Sequence, residues 1–531
     1  MTATTPIDLE KGLTPDTEVE IDSRPTSIGL KDDDIPVKMS PLEKFQYYNH
    51  KLESMIGIEA RGIERVPDDE RHDTRLWGNL TIWLSANCVL PTFGTGILGP
   101  LTFGMGLGDS MLTIFFFVIF ASTLPALCST FGPKLGLRQM TSARYAWGYW
   151  GAKFVAVLNC IACVGWSIAN TIVGAQTLCA VGEWTFSAAV GTVIIGMGTL
   201  ALGLCGYKVI HHFEQVAWIP TAATFFVVIG VAAKHLVNTP MPVGQAEAAS
   251  VLSFGGVVFG FCIGWVSLAS DYNVYMPSRA PAWKVFMWTY IGVAVPCVLV
   301  MWLGAAIAAA TAAGEFAPVG SAIANWWSMY QQHEVGGMLH AVMVPPMGGG
   351  GKFFMVLLVL SVVANNIVNV YSMGMSISVI THYLALIPRI VWPCVITAIY
   401  IPVAIVGADH FGETLHSFLS VLGYWLAIFV TVLLEEHFIF RQADWGRYDP
   451  ALTWNNRKLL PIGFGALGAF CFGVVGAAMG MAQSFYVSPI GKLVGGSANP
   501  HGGDIGFELA SGFTAVTYPF FRWLEIKYTG R

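Results

Sequence analysis

The sequence predicts an all-α integral membrane protein of about twelve transmembrane helices, built as a five-plus-five inverted repeat followed by two further helices. Three observations lead there. Of 531 residues, 54% are hydrophobic and only 11% are charged, whereas a soluble domain carries about 25% charged residues. Apolar runs of spanning length recur near 77–100, 108–130, 150–178, 187–205, 212–233, 251–273, 285–312, 353–381, 390–407, 411–434, 459–482 and 507–523. The first and sixth of these runs are interrupted by glycine and proline at matching places.

Residues 1–75 are charged and proline-containing, and most of them read as a cytosolic tail, with helical periodicity between Ser40 and Arg65. Residues 76–435 hold the ten-helix core, and 436–531 hold two additional spans and a short cytosolic C-terminus. The first span contains LPTFGTGILGP (Leu90 to Pro100) and the sixth SFGGVVFGFCIGW (Ser253 to Trp265). Glycine and proline weaken the helical ladder and free backbone groups to meet a solute. First and sixth are equivalent positions in two five-helix halves, the pattern of a transporter with a midplane site. The alternative for the glycines is close helix packing. Between the seventh and eighth spans, SAIANWWSMYQQ reads as an interfacial helix and Gly348 to Gly351 as a hinge.

Orientation follows from the basic residues. With the N-terminus inside, eleven Lys and Arg fall in inner loops (Arg138, Arg144 and Arg279 among them), against Lys234, Lys352 and Lys492 outside. That bias puts both termini in the cytosol.

The net charge of −5 has no basic patch suited to nucleic acid. Membrane lipid and a small solute are the partners this composition allows, and it fixes no oligomeric state. The ten cysteines fall mostly inside apolar runs and read as packing residues, Cys160 and Cys163 included. No metal site, cofactor motif, HExxH or nucleophile–base pattern marks an enzyme.

Chemistry concentrates in a few polar residues inside the apolar runs. Trp166 and Asn170 stand four apart in CVGWSIAN, and Asn365 and Asn369 four apart in VVANNIVNVYS. That spacing puts each pair on one helix face. A buried amide is costly without a partner, so such groups face the bundle interior or a wet cavity. An amide edge beside a tryptophan face suits a small, planar, uncharged, hydrogen-bonding heterocycle. Trp265 sits mid-span among small residues and offers a second face. The rival reading makes the asparagines interhelical glue, at about 0.6 kcal/mol each. Asn366 points about 100° from Asn365, toward a neighbouring helix. Among the acids, Glu214 follows His211 and His212 at the start of the fifth span, and Asp271 ends the sixth as gate or cap. Asp109 reads as structural, and Glu435 and Glu436 as solvated at the inner boundary. His382, His410 and His416 lie near span ends.

The stretches GIEARGIERVPDDER, STFGPKLGLRQMTSARYAWGYWG, LNCIACVGWSIANTIVGAQ, GYKVIHHFEQVAWIP, ANNIVNVYSMGMS and GGDIGFELASGFTAV resemble fungal purine–cytosine permeases of the nucleobase–cation symporter-1 family. The likeness runs from about Glu59 to the C-terminus. It implies the inverted-repeat fold and proton-coupled uptake of purine bases (adenine, guanine, hypoxanthine) and cytosine at the plasma membrane. Another small heterocycle, such as a vitamin or an allantoin-like solute, is the alternative substrate, and a sensor that does not transport is the alternative activity. The resemblance implies that Trp166 and Trp265 sandwich the base, that Asn170, Asn365 and Asn369 read its edge, and that Thr92 is the small hydroxyl of the first helix. It implies Glu214 as the acidic coupling candidate. Where many such permeases read ANNIPN, this chain has Val368. Sodium-coupled relatives carry a Ser–Thr pair before the eighth-helix asparagine. Val363 and Ala364 stand there instead and offer no side-chain oxygen, which favours a proton over sodium.

Overall fold

Cys88 and Val89 split the first apolar run, because Val89 is extended (φ −140°, ψ 162°) and ends the helical ladder. In the computed structural model, residues 62–204, 215–385, 387–388, 391–408, 411–496 and 502–531 are described. Glu214, His211, His212, His410 and most of the expected tail, including Ser40 to Arg61, lie outside the described residues, as does the side chain of His382. The longer helices are α1 (Leu76–Asn87), α2 (Leu90–Thr102), α3 (Leu107–Ala121), α4 (Arg144–Val181), α5 (Ala188–Gly203), α6 (Trp218–Ala232) and α7 (Gln245–Ile263). They continue as α8 (Ala282–Ala313), α9 (Ala322–Met347), α10 (Gly349–Ile380), α11 (Val391–Val406), α12 (Phe411–Glu435), α13 (Phe464–Gly480) and α14 (Gly506–Thr529).

Among the described residues, seven helical stretches are long and apolar enough to cross a bilayer, and α1 with α2, bent by 53°, makes an eighth. The shorter apolar helices α5, α11 and α13, together with α14, coincide with the remaining runs. Large apolar side chains such as Phe116, Ile161, Phe226 and Val516 face outward. Such a surface is stable only where hydrocarbon replaces water.

The first break lies just before its glycine-rich run, and the break in the sixth span falls at the end of its run, at Gly264. Leu90 to Pro100 is helical, with Pro91 in the first turn of α2, where its missing N–H costs nothing. In the sixth span α7 runs to Ile263 and passes through a 3-10 turn at Gly264–Ser267 into irregular chain. The glycines serve packing. A Cβ on Gly96 would lie 2.1 Å from the Met301 carbonyl oxygen, and one on Gly260 would lie 2.0 Å from that of Leu419. Backbones of α2 and α8, and of α7 and α12, therefore touch. Of the expected glycine hinge, Gly348 alone turns (φ 54°), and α10 starts at Gly349. The preceding helix, α9, kinks at His333 and Glu334.

Two expectations need correction. The last residues assigned to the tail are docked: the Val66 N–H donates to the Gly136 carbonyl (2.9 Å), and buried Arg71 donates to the Pro133 carbonyl and pairs with Asp68. Burial opposes it, but Arg65 and Arg71 hold the Asp68 carboxyl below its ordinary value. Glu436 is buried, not solvated. It receives Arg522 Nε at 2.9 Å, Arg441 Nε at 3.1 Å and the Tyr518 hydroxyl at 3.0 Å. Glu525 accepts from the N–H groups of Gly463 (2.7 Å) and Gly465 (3.2 Å) at the start of α13. Paired charges thus fasten α13 and α14 to the end of α12, since a buried carboxylate persists only when paired.

Gly96→Ala and Gly260→Ala should each lower the thermal-unfolding midpoint in detergent, through an overpacking cost of about 1–3 kcal/mol. Gly198→Ala, which meets nothing within 4 Å, serves as the control. A Gly260→Ala midpoint equal to that control would show that α7 and α12 do not depend on this contact.

Candidate functional site

Breaking a helix leaves its last carbonyls without intrahelical partners, and at the end of α1 side-chain amides and hydroxyls supply them. Asn87 Nδ2 folds back on the Trp83 carbonyl (2.9 Å), which lies within the helical ladder, so the freed carbonyls that gain partners are those of Ala86 and Asn87. Asn365 Nδ2, from α10, donates to the Ala86 carbonyl (2.7 Å). Thr92 Oγ1, from the first turn of α2, donates to the Asn87 carbonyl (2.6 Å). At the start of α2 the Leu90 N–H donates to Ser361 Oγ (3.3 Å).

The asparagine side chains carry the network outward. Asn87 Oδ1 accepts from Trp265 Nε1 (2.9 Å) and from Cys297 Sγ (3.3 Å). Asn365 Oδ1 accepts from Asn170 Nδ2 (3.1 Å). Asn170 Oδ1 is itself buried without a hydrogen-bond partner. Asn369 Nδ2 reaches only the main-chain oxygen of Asn365, at 3.5 Å. Asn366 turns toward α4, where its Nδ2 meets Thr171 Oγ1 at 3.4 Å.

These groups border a narrow cavity. Trp83, Ser85 and Ala86 line it from α1, Trp265 and Tyr272 from the sixth span, and Ala364, Asn365 and Val368 from α10. Trp83 meets Trp265 edge-on with ring centroids 5.4 Å apart, and meets Tyr272 at 5.7 Å. Among the described residues no charged side chain lines the cavity. Its free volume of about 10 Å³ is about that of one water. This conformation is contracted, with Asn170 bonded to Asn365 across the helices.

The structure gathers Trp265, Asn365, Asn170, Asn369 and Thr92 into one network, but Trp166 stands apart. Its ring packs edge-on against Phe261 and Phe418, each at 5.3 Å, and touches the position where a Cβ on Gly264 would be (3.1 Å). The ring that faces Trp265 is Trp83, so the expected pairing of Trp166 with Trp265 is not assembled in this contracted conformation. Thr92 supports the break and does not line the cavity. Glu214 lies outside the described residues. Val363 and Ala364 are buried and bring no oxygen. Among the described residues no group of three or more His, Cys, Asp or Glu is placed to hold a metal ion. Asp271 Oδ1 accepts from the Gln139 N–H (2.8 Å), a tie between segments.

Sequence reasoning missed Trp83, Asn87 and Tyr272. Trp83 and Asn87 stand four apart in WLSAN, the same spacing as Trp166 and Asn170, so the signal was available. Tyr272 carries no such signal, because the chain there is irregular.

Residues 65–498 match the family of permeases for cytosine/purines, uracil, thiamine and allantoin. The chain is 39% identical to the purine-cytosine permease fcyB of Emericella nidulans over 484 residues, 91% of each chain. It is 36% identical to the purine-cytosine permease FCY2 of Saccharomyces cerevisiae, covering 99% of this chain and 98% of that one. Its fold is similar to that of Mhp1, a nucleobase-cation-symport-1 family transporter, in a closed conformation with bromovinylhydantoin bound (TM-score 0.64, 14% identity, 88% of this chain and 96% of that chain).

Asn365 makes two buried bonds across helices, whereas Asn369 makes one long bond within its own. Asn365→Ala should therefore cost about 1–3 kcal/mol of stability and Asn369→Ala much less, read as thermal midpoints in detergent. Equal midpoints would mean that the Asn365 bonds do not hold the break.

Proposed function

The chain belongs to the family of permeases for cytosine/purines, uracil, thiamine and allantoin, and on that premise we propose that it is a proton-coupled symporter importing adenine, guanine, hypoxanthine and cytosine across the plasma membrane by alternating access. It is a multi-pass membrane transporter and not an enzyme. The observation that carries the substrate reading is the cavity whose described lining is uncharged, walled by Trp83 and Trp265 and edged by the Asn365 amide. Aromatic faces bind planar rings with about 1–3 kcal/mol per stacked base. An uncharged lining disfavours a cation such as thiamine, whose charge would lose water without gaining a counter-ion.

Binding exchanges one set of hydrogen bonds for another. The Asn170–Asn365 bond engages the Asn170 donor and the Asn365 acceptor when the cavity is contracted, and a base edge with its own donors and acceptors replaces it at little net cost. Asn170 Oδ1, buried and unpartnered, is an acceptor for an amino group or ring N–H of the base. Trp166 lies one turn from Asn170 on the same face of α4. A shift of α4 that brings Asn170 into the cavity carries Trp166 with it, and in that state Trp166 and Trp265 enclose the base. Asn369 extends the edge along α10.

The proton as coupling ion is supported by Val363 and Ala364, which offer no side-chain oxygen where hard cations need several ligands. Glu214 is the candidate carrier, since a proton needs only one titratable group. The eleven-to-three distribution of inner over outer basic residues supports cytosolic termini, and puts the start of α1 at the cytosolic face. A second substrate reading rests on Val368. It lines the cavity where many such permeases have proline, so another small nitrogen heterocycle is the rival.

Cells lacking their own carriers should take up labelled adenine and cytosine, each blocked by the other unlabelled base. Inhibition by a vitamin or by allantoin alone would favour the rival. Trp166→Ala should lose most of the affinity while still reaching the membrane, and Trp166→Phe should retain part. Normal affinity in Trp166→Ala would remove that residue from the site.

Uptake should rise as external pH falls and be indifferent to replacing sodium with choline. Glu214→Gln should abolish accumulation against a gradient yet permit exchange of substrate for substrate. Sodium-stimulated uptake at fixed pH would overturn the choice of ion, and a fully concentrative Glu214→Gln would clear Glu214.

A further inference from the structure

A second, wider cavity lies on the side from which α1 begins. Residues 72–75, before α1, form one wall, and the turn that follows the sixth span forms the other with Tyr275 and Met276. Its free volume is about 460 Å³, against about 10 Å³ for the tryptophan–amide cavity. Among the described residues Tyr272 is common to the linings of both.

The chain around Tyr272 is held from both sides. Asp271 Oδ1 accepts from the Gln139 N–H (2.8 Å), and Asn273 Nδ2 donates to the Ser129 carbonyl (2.8 Å). Ser270 Oγ donates to the Cys128 carbonyl (2.8 Å). These bonds fix the backbone on the 128–139 segment, so the Tyr272 ring is a projection from a fixed mount. The ring closes against Trp83 of α1 (5.7 Å, edge-on). The chain before α1 is joined to the same turn, where the Asp73 N–H donates to the Tyr275 carbonyl (3.1 Å). A tilt of α1 away from the turn separates Trp83 from Tyr272 and connects the two cavities.

From this geometry we infer that Tyr272 is the cytosolic gate of the permeation path, its ring closing the tryptophan–amide cavity against Trp83 from the wider vestibule. The direction of the path rests on the importer reading above, but the separation of two cavities by one ring does not. Tyr272 acts as a barrier and a positioning group, and Asp271 belongs to its mount and is not the barrier.

The test uses the full-length protein in membrane vesicles of both orientations, with cysteine placed at Ala364 on the cavity wall. A membrane-impermeant charged methanethiosulfonate is the probe, and modification at position 364 is read by mass spectrometry, so that the native cysteines do not interfere. In inside-out vesicles, Tyr272→Ala should raise the labelling rate at 364 at least about tenfold, equivalent to 1.4 kcal/mol of barrier. Tyr272→Phe, which keeps the ring, should label as slowly as the parent. In right-side-out vesicles neither change should matter. Should Tyr272→Ala fail to reach the membrane, Tyr272→Leu serves in its place. Unchanged labelling in inside-out vesicles, or equal acceleration from both sides, overturns the gate. Faster cytosolic labelling in a protein that takes up neither adenine nor cytosine keeps the gate and removes the substrate reading.

Discussion

The rest of the site depends on the exposed carbonyls at the end of α1. A chain that breaks a helix inside a bilayer must satisfy those groups from within, because hydrocarbon supplies no donors and each unsatisfied group costs several kcal/mol. Here the donors are Asn365, to the Ala86 carbonyl, and Thr92, to the Asn87 carbonyl. Because Asn365 comes from α10 and is also bonded to Asn170 of α4, repairing the break brings three helices together at one point. On the proposed function, the same side chains that satisfy the backbone also supply the recognition edge, so loading the site and loosening the break would be linked.

Close packing makes that geometry rigid. Gly96 and Gly260 let main chains approach to contact, and α4 and α10 pack against each other along much of their length. Side chains on such helices are positioned by backbone, so the Asn170–Asn365 bond is specified by the packing of the helices that carry it. Rigid contacts also leave few ways to move. α1 is bent by 53° from α2 and tied to α10 by the replaceable Asn365 hydrogen bond.

The two C-terminal helices are fastened by a different interaction. Arg522 and Arg441 neutralise Glu436, while Glu525 holds the first N–H groups of α13. Removing one member of such a set leaves a buried charge unpaired, which costs far more than the set gains by existing. Its worth is in fixing where α13 and α14 sit against α12.

Membrane class, the positions of the apolar runs and the interruption of the first and sixth were all legible in the sequence. Hydrocarbon imposes length and apolarity on every span, and those are properties of consecutive residues. The buried polar side chains of the network were legible for the same reason, since Asn170, Asn365 and Asn369 stand out in apolar runs. Which of them meet was decided by tertiary structure alone. The order along α10 cannot say that Asn365 reaches Ala86 while Asn366 turns to Thr171, because the azimuth of a helix is set by its neighbours. Nor could composition separate Glu436, whose partner Arg522 lies 86 residues away, from a solvated acid at a helix end. The tryptophan facing Trp265 was decided the same way: Trp83 and Trp166 carry the same four-residue link to an asparagine, and the bend after Asn87 points the first into the cavity while the phenylalanines of α7 and α12 hold the second aside.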